Sequence, residues 1–295
     1  MIRLSRIESN YQVVSVLPHA EGRAIDPIEL IDLQLPHDVD LKQPVILFGP
    51  VPTWVYGRLV ALCREAPWVG CFSAPEAEAV VIQSRVANVA VGDVIAIPLG
   101  REKLAPAVLV VGPPDSGKSV LSNALRRSLL AHYPHSSIFL HRANWDGEGN
   151  WSHEGQDHAL IQRLVRNHER RIHERPSATE LMAAFFAYHE AAVMNLRRVV
   201  DLVIVDVGGK VQPEKAGVRD RCTHGVIISR APELVGEWRR FCEPTLELLT
   251  VIHSVLEERC EVKSRVPLEV IAGPWFRGKT HQVPEVVWQA VGKLL

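Results

Sequence analysis

Gly112-Pro113-Pro114-Asp115-Ser116-Gly117-Lys118-Ser119 decides how the larger part of this chain folds. The eight residues fit G-x-x-x-x-G-K-[ST], and chemistry explains that spacing. The backbone N–H groups of such a loop turn inward as an anion nest, and glycines permit the turns this needs. Lys118 can reach the β- and γ-phosphates of a nucleotide, and the Ser119 hydroxyl can ligate magnesium. The next helix offers its positive N-terminal end to the same phosphates. An isolated match arises by chance, so context matters. Before the loop, Ala107–Val111 is a continuous apolar run, the pattern of a strand buried on both faces. After it, an apolar-striped helix is expected from about Lys118 to His132. Gly112, Asp115, Ser116, Gly117, Lys118 and Ser119 are therefore the expected binding residues for ATP or GTP with magnesium.

Outward from the loop, strands alternate with helices. Strands are expected at Ser137–Leu140, Leu202–Val205, Gly225–Ser229 and Leu268–Ala272. Helices are expected at His158–Glu174, Ala178–Arg198 and Pro284–Leu294, and Pro232–Glu258 reads as mainly helical with a break at Pro244. Alternation of this kind implies a mainly parallel sheet with helices on both faces, an α/β domain. Asp206 follows Leu202-Val203-Ile204-Val205, so its carboxylate stands where a neighbouring strand can offer a magnesium ligand. The other reading of Asp206 is a strand-terminating turn. Lys118 and Asp206 are the candidate catalytic pair, and Ser119 and Asp206 the candidate metal ligands.

Further positions belong to the same surface. Gly208-Gly209 would let backbone approach a γ-phosphate, with Lys210 beside it. Asp146 and Glu148, between Trp145 and Trp151, form either an acceptor-orienting loop or a solvated one. Gly273–Lys279 follows the last strand, and Arg277 is a candidate contact to base or phosphate. The Arg163–Arg175 run is diluted by Glu169 and Glu174 and reads as a solvated helix face. Val207-Gly208 follows Asp206 with no acidic residue to polarise a water, which points to slow hydrolysis.

Bulk properties narrow the classes. The chain has 295 residues, 47% hydrophobic, and a formal net charge of −1. That excludes a disordered chain and removes the global basic footprint of a binder of long nucleic acid. Five cysteines without a C-x-x-C pair argue against a disulfide framework or zinc ribbon. No apolar run reaches the roughly 20 residues of a membrane span. Met1–Val16 alternates polar and apolar residues, unlike a signal peptide. A cytoplasmic protein without a membrane partner is the expectation.

The first 99 residues read as a smaller α+β domain, joined by a linker at 100–106 to the domain over 107–295. Strands are expected at Tyr11–Leu17, Pro44–Phe48, Trp68–Phe72, Ala79–Gln83 and Val94–Ile97, around one helix at Trp54–Glu65. Gly49-Pro50-Val51-Pro52-Thr53-Trp54-Val55-Tyr56, Ala66-Pro67-Trp68-Val69, Ala79-Val80-Val81-Ile82-Gln83-Ser84 and Val91-Gly92-Asp93-Val94-Ile95 resemble, in order and spacing, a small CRISPR-associated family. That family is the type III accessory ring nuclease, which binds and cleaves cyclic tetra-adenylate. The resemblance covers about Val45 to Ile97, and some family members carry a C-terminal ATPase-like domain. It implies homo-oligomers, dimers that sandwich the ligand, and manganese-dependent cleavage. It also points to ligand contacts at Gly49, Pro50, Trp54, Ser84 and Arg85, with a tight turn at Gly49 and a core aromatic at Trp54 as the other readings. The family's catalytic histidine aligns with Glu65 and its acidic partner with Ser73, so the usual pair is missing. Glu65 stands as the candidate replacement base or metal ligand.

These residues leave three readings open. One is a signalling protein that binds cyclic tetra-adenylate in front and ATP behind, with the sites coupled. Another is a P-loop kinase acting on a small molecule or nucleotide. The last is a nucleotide-controlled switch with little turnover.

Overall fold

Apolar alternation and continuous apolar runs place the strands of both halves of the chain. The computed structural model describes residues 2–7, 11–16, 25–99, 103–144, 178–277, 279 and 281–295. The chain divides into two units, Met1–Gly100 and Arg101–Leu295.

The first unit contains β1 (Ile2–Ile7), β2 (Gln12–Val16), β3 (Val45–Phe48), α1 (Thr53–Leu62), β4 (Trp68–Ser73), β5 (Glu78–Ser84) and β6 (Val94–Ala96). They form a six-stranded sheet in the order β1-β2-β3-β4-β5-β6. The middle three strands run parallel, while β1, β5 and β6 pair antiparallel. β1 is an addition to the sequence reading, which noted the alternation of Met1–Val16 but assigned no strand there before Tyr11. α1 covers one face of the sheet, where its Val55 and Leu59 pack with Val14, Val45, Leu47 and Val69. The opposite face buries Tyr11, Ile46, Trp68, Ala79 and Val81. A buried aliphatic side chain of this size contributes about 1.5–3 kcal/mol over leaving it exposed.

The second unit contains β7 (Ala107–Val111), α2 (Lys118–His132), β8 (Ile138–Ala143), α3 (Ala178–Leu196), β9 (Leu202–Val207), α4 (Ala216–Asp220), β10 (His224–Ser229), α5 (Val235–Cys242), β11 (Glu247–Ser254), β12 (Arg259–Arg265), β13 (Leu268–Gly273) and α6 (Glu285–Gly292). The sheet order is β12-β13-β11-β10-β7-β9-β8. Every pairing is parallel except that of β12 with β13. The chain leaves β7 toward β8 on one side and later crosses to β10 on the other. The order therefore reverses at β7, and a ligand of such a sheet binds beyond the carboxyl ends of the strands at that reversal.

One expectation is corrected and one strand is added. Pro232–Glu258 is not mainly helical: α5 occupies only Val235–Cys242, and Glu247–Ser254 is a strand between β10 and β13. Thr250, Val251 and Ile252 are fully buried there, and continuous burial erases the alternation that identifies a half-exposed strand. β12 was not expected, because its mostly exposed, charged residues make a polar edge strand. The expected helix His158–Glu174, the arginine run within it and the loop around Asp146 and Glu148 lie outside the described residues. No helix among the described residues is long and apolar enough to cross a membrane.

Candidate nucleotide site and N-terminal ligand surface

The 112–119 loop leaves the carboxyl end of β7 and enters α2 directly. Gly112 has φ +149°, and a Cβ there would collide with the Ile228 carbonyl oxygen at the end of β10. Gly117 caps α2 with φ +90°, and a Cβ there would run into Trp275 of the loop after β13. Asp115, also at positive φ, completes the reversal, a conformation that aspartate tolerates better than most residues. Ser116 is buried, and its Oγ accepts a hydrogen bond from the Arg230 N–H at 3.2 Å. The loop is therefore pinned by β10 and by the β13 loop.

Lys118 is nearly inaccessible, and its Nζ donates to the Pro113 carbonyl at 2.7 Å, which folds the ammonium back onto the loop. Burial pushes its pKa down, while Asp206 and Asp115 work against that shift. Asp206 is paired in register with Val110 of β7 and with Arg142 of β8. Its side chain is 2% exposed, and its Oδ2 accepts no hydrogen bond but lies 3.3 Å from Arg142 Nε. Arg142 Nη2 donates to Ser119 Oγ, also at 3.3 Å. One guanidinium thus touches both Ser119 and Asp206, so both oxygens face the same end of the site. A serine hydroxyl and a carboxylate, completed by phosphate and water, are a donor set that suits magnesium.

The loop after β9 closes the site's other side. A Cβ on Gly209 would press on Pro114 at 2.6 Å, so only glycine lets this loop lie against residue 114. Lys215 is buried, and its Nζ donates to the carbonyls of Gly208 at 2.7 Å and Lys210 at 2.5 Å. Arg277 is exposed on the β13 loop, two residues beyond Trp275. Sequence reasoning named neither Arg142 nor Lys215. The signal for Arg142 was present: a cation at the carboxyl end of an apolar strand, a position that faces ligands in a parallel sheet.

In the first unit the expected ligand residues fall into two groups. Gly49, Pro50 and Trp54 lie at the carboxyl end of β3 and the start of α1. Ser84 pairs with Trp68 at the opposite end of β4, because β5 runs antiparallel to it. Arg85 follows Ser84, and its Nη1 pairs with the carboxylate of Glu65. Glu65 is more than half exposed, and the hydrogen bond from Arg85 is the main cause of its lowered pKa. Ser73 sits at the far end of β4 from Glu65 and donates to Glu76 at 2.5 Å. A single unit therefore does not gather these residues into one cleft. Gly49, at φ +149°, is required for packing, since a Cβ would collide with the Val16 carbonyl. Its own carbonyl accepts from the Tyr56 hydroxyl at 2.7 Å. Trp54 is 38% exposed and available for stacking. No group of three histidine, cysteine or acidic side chains among the described residues is placed to hold a metal, and Glu65 has no such companions among them.

Residues 19–96 match the family described as CRISPR-associated protein (Cas_csx3). The match lies within the first unit and spans well under half of the chain. No curated protein matches the chain. Among solved structures, cobyrinic acid a,c-diamide synthase from Mycobacterium smegmatis, with bound ATP analog and magnesium, is similar over 53% of this chain and 75% of that one, at 12% identity and TM-score 0.36. The kinase domain of the Escherichia coli tyrosine kinase ETK is similar over 50% and 68%, at 16% identity and TM-score 0.32. A DUF1611 family protein from Anabaena variabilis is similar over 71% and 67%, at 13% identity and TM-score 0.32.

Proposed function

We propose that the second unit binds ATP or GTP with magnesium and hydrolyses it slowly, and that the first unit binds cyclic tetra-adenylate in a CRISPR-associated role. The convergence of Lys118, Ser119 and Asp206 at the carboxyl ends of β7 and β9 carries the first half. The loop's N–H groups and the start of α2 receive the phosphates. Lys118 exchanges its bond to Pro113 for phosphate oxygens. Ser119 and Asp206 would hold the magnesium, which would supply charge neutralisation at the phosphates. Slow turnover follows from Val207-Gly208, which supplies no carboxylate to orient water.

The match of residues 19–96 supports the second half. The exposed pairing of Glu65 with Arg85, without further metal ligands among the described residues, favours binding over cleavage. A ligand sandwiched between two copies of the chain would draw on the Gly49–Trp54 turn of each. Fusion in one chain supports coupling, in which each ligand alters the affinity for the other by the same factor.

The test is a titration of the full chain with a fluorescent ATP analogue in magnesium and, separately, with cyclic tetra-adenylate. Lys118→Met is expected to weaken nucleotide binding about a hundredfold, the scale of lost charge-assisted hydrogen bonds, while leaving cyclic tetra-adenylate binding intact. Wild-type protein that bound neither ligand would sink the proposal.

A further inference from the structure

Arg142 bridges the two candidate metal ligands, Ser119 and Asp206. Its position rests on two independent supports: in-register pairing of β8 with β9 sets it beside Asp206, and its fork reaches across to the start of α2 at Ser119. Its side chain is only 5% exposed, so this is not a mobile rim contact. A magnesium ion within about 2.1 Å of Ser119 Oγ and served by Asp206 would stand in close contact with this guanidinium. Two cations that close repel strongly in a poorly solvated site. The guanidinium must therefore move.

We propose that Arg142 competes with the divalent cation for Ser119 and Asp206, and so sets the magnesium concentration at which the site fills. Metal arriving alone must displace the guanidinium from both oxygens and brings no phosphate to receive it. Metal arriving on a nucleoside triphosphate brings phosphate oxygens that can receive it. Filling is therefore ordered, with the metal entering as the nucleotide complex. The inference rests on the reading of residues 112–119 as a magnesium–nucleotide site.

The experiment measures binding of a fluorescent ATP analogue to the full chain as magnesium is raised from zero, for wild type, Arg142→Gln and Arg142→Lys. Gln removes the competing charge, and the magnesium midpoint is expected to fall at least about tenfold, the equivalent of one charge-assisted hydrogen bond. Lys keeps the charge but not the fork, and should give an intermediate midpoint, which preserves the test if the Gln variant fails to fold. A residue that merely supports the fold would lower affinity at saturating magnesium and leave the midpoint in place. Wild-type nucleotide binding with a midpoint unmoved or raised in the variants overturns this inference alone. Nucleotide binding by wild type that ignores magnesium overturns it too. Failure of wild type to bind nucleotide at all overturns it together with the reading of the site.

Discussion

Acidifying the protein from pH 7 to pH 5 should destabilise its second unit by up to about 4 kcal/mol through one histidine pair. His189 Nδ1 on α3 and His141 Nε2 on β8 share a hydrogen bond at 2.8 Å, in which one ring donates and the other accepts. Desolvation, with the neighbouring His189, depresses His141 to about 3. Desolvation alone lowers His189 to about 4. Both values lie below the ordinary histidine value near 6.5, so the unfolded chain takes up protons first as pH falls. Stability is untouched above pH 6.5 and declines from there toward pH 4 and below. At pH 5 the unfolded histidines are protonated and the folded ones are not. Each then contributes about 1.5 pKa steps of about 1.4 kcal/mol, or roughly 2 kcal/mol of penalty. The figure does not depend on how far below 5 the folded values lie. Urea unfolding at pH 7, 6 and 5 measures it, with His189→Phe as the control beside Phe185, whose ring centroid is 4.2 Å from His189. The variant should lose about half of the pH dependence. Equal dependence in the two proteins would refute the reasoning.

Gly112→Ala should cost about 3 kcal/mol, because the new methyl meets the Ile228 carbonyl; thermal unfolding should drop together with nucleotide binding, and an unchanged midpoint would contradict the packing described. Lys215→Met should cost about 2 kcal/mol by stranding the carbonyls of Gly208 and Lys210, and hydrogen exchange should speed up in residues 208–210 before it does in β9. Glu65→Gln should leave the thermal midpoint where it is, since its pairing with Arg85 is exposed, and should abolish any manganese-dependent cleavage of cyclic tetra-adenylate; cleavage that survives would remove Glu65 from consideration.

What the sequence disclosed depended on whether a single segment held the information. Gly112–Ser119 was legible because its residue types are dictated by the loop's own backbone, and Leu202–Val205 because an unbroken apolar run ending in aspartate is a local signal. Glu247–Ser254 failed the same way of reading, since Thr250–Ile252 is buried on both faces and lacks a period of two. Arg142 was legible as a cation at the carboxyl end of an apolar strand, but its pairing with Asp206 depends on the cross-strand register and was hidden. The split of Gly49, Pro50 and Trp54 from Ser84, Arg85 and Glu65 was equally hidden. Only the antiparallel return of β5 sends Ser84 to the far end of β4, and strand direction is not written in the residues of that strand.

Gly49-Pro50 and Gly112-Pro113 are the same backbone solution used twice. Each glycine follows a parallel strand at φ +149° and lies against the carbonyl of the strand beside it. Every single-nucleotide missense change of a glycine codon introduces a side chain with a Cβ. A saturation screen scored by survival or abundance would therefore mark positions 49 and 112 as equally intolerant. Yet only residue 112 opens a loop that carries a lysine and a serine for phosphate. Intolerance at these two positions measures strand packing, and a map of function would have to score ligand bound per folded molecule to tell them apart.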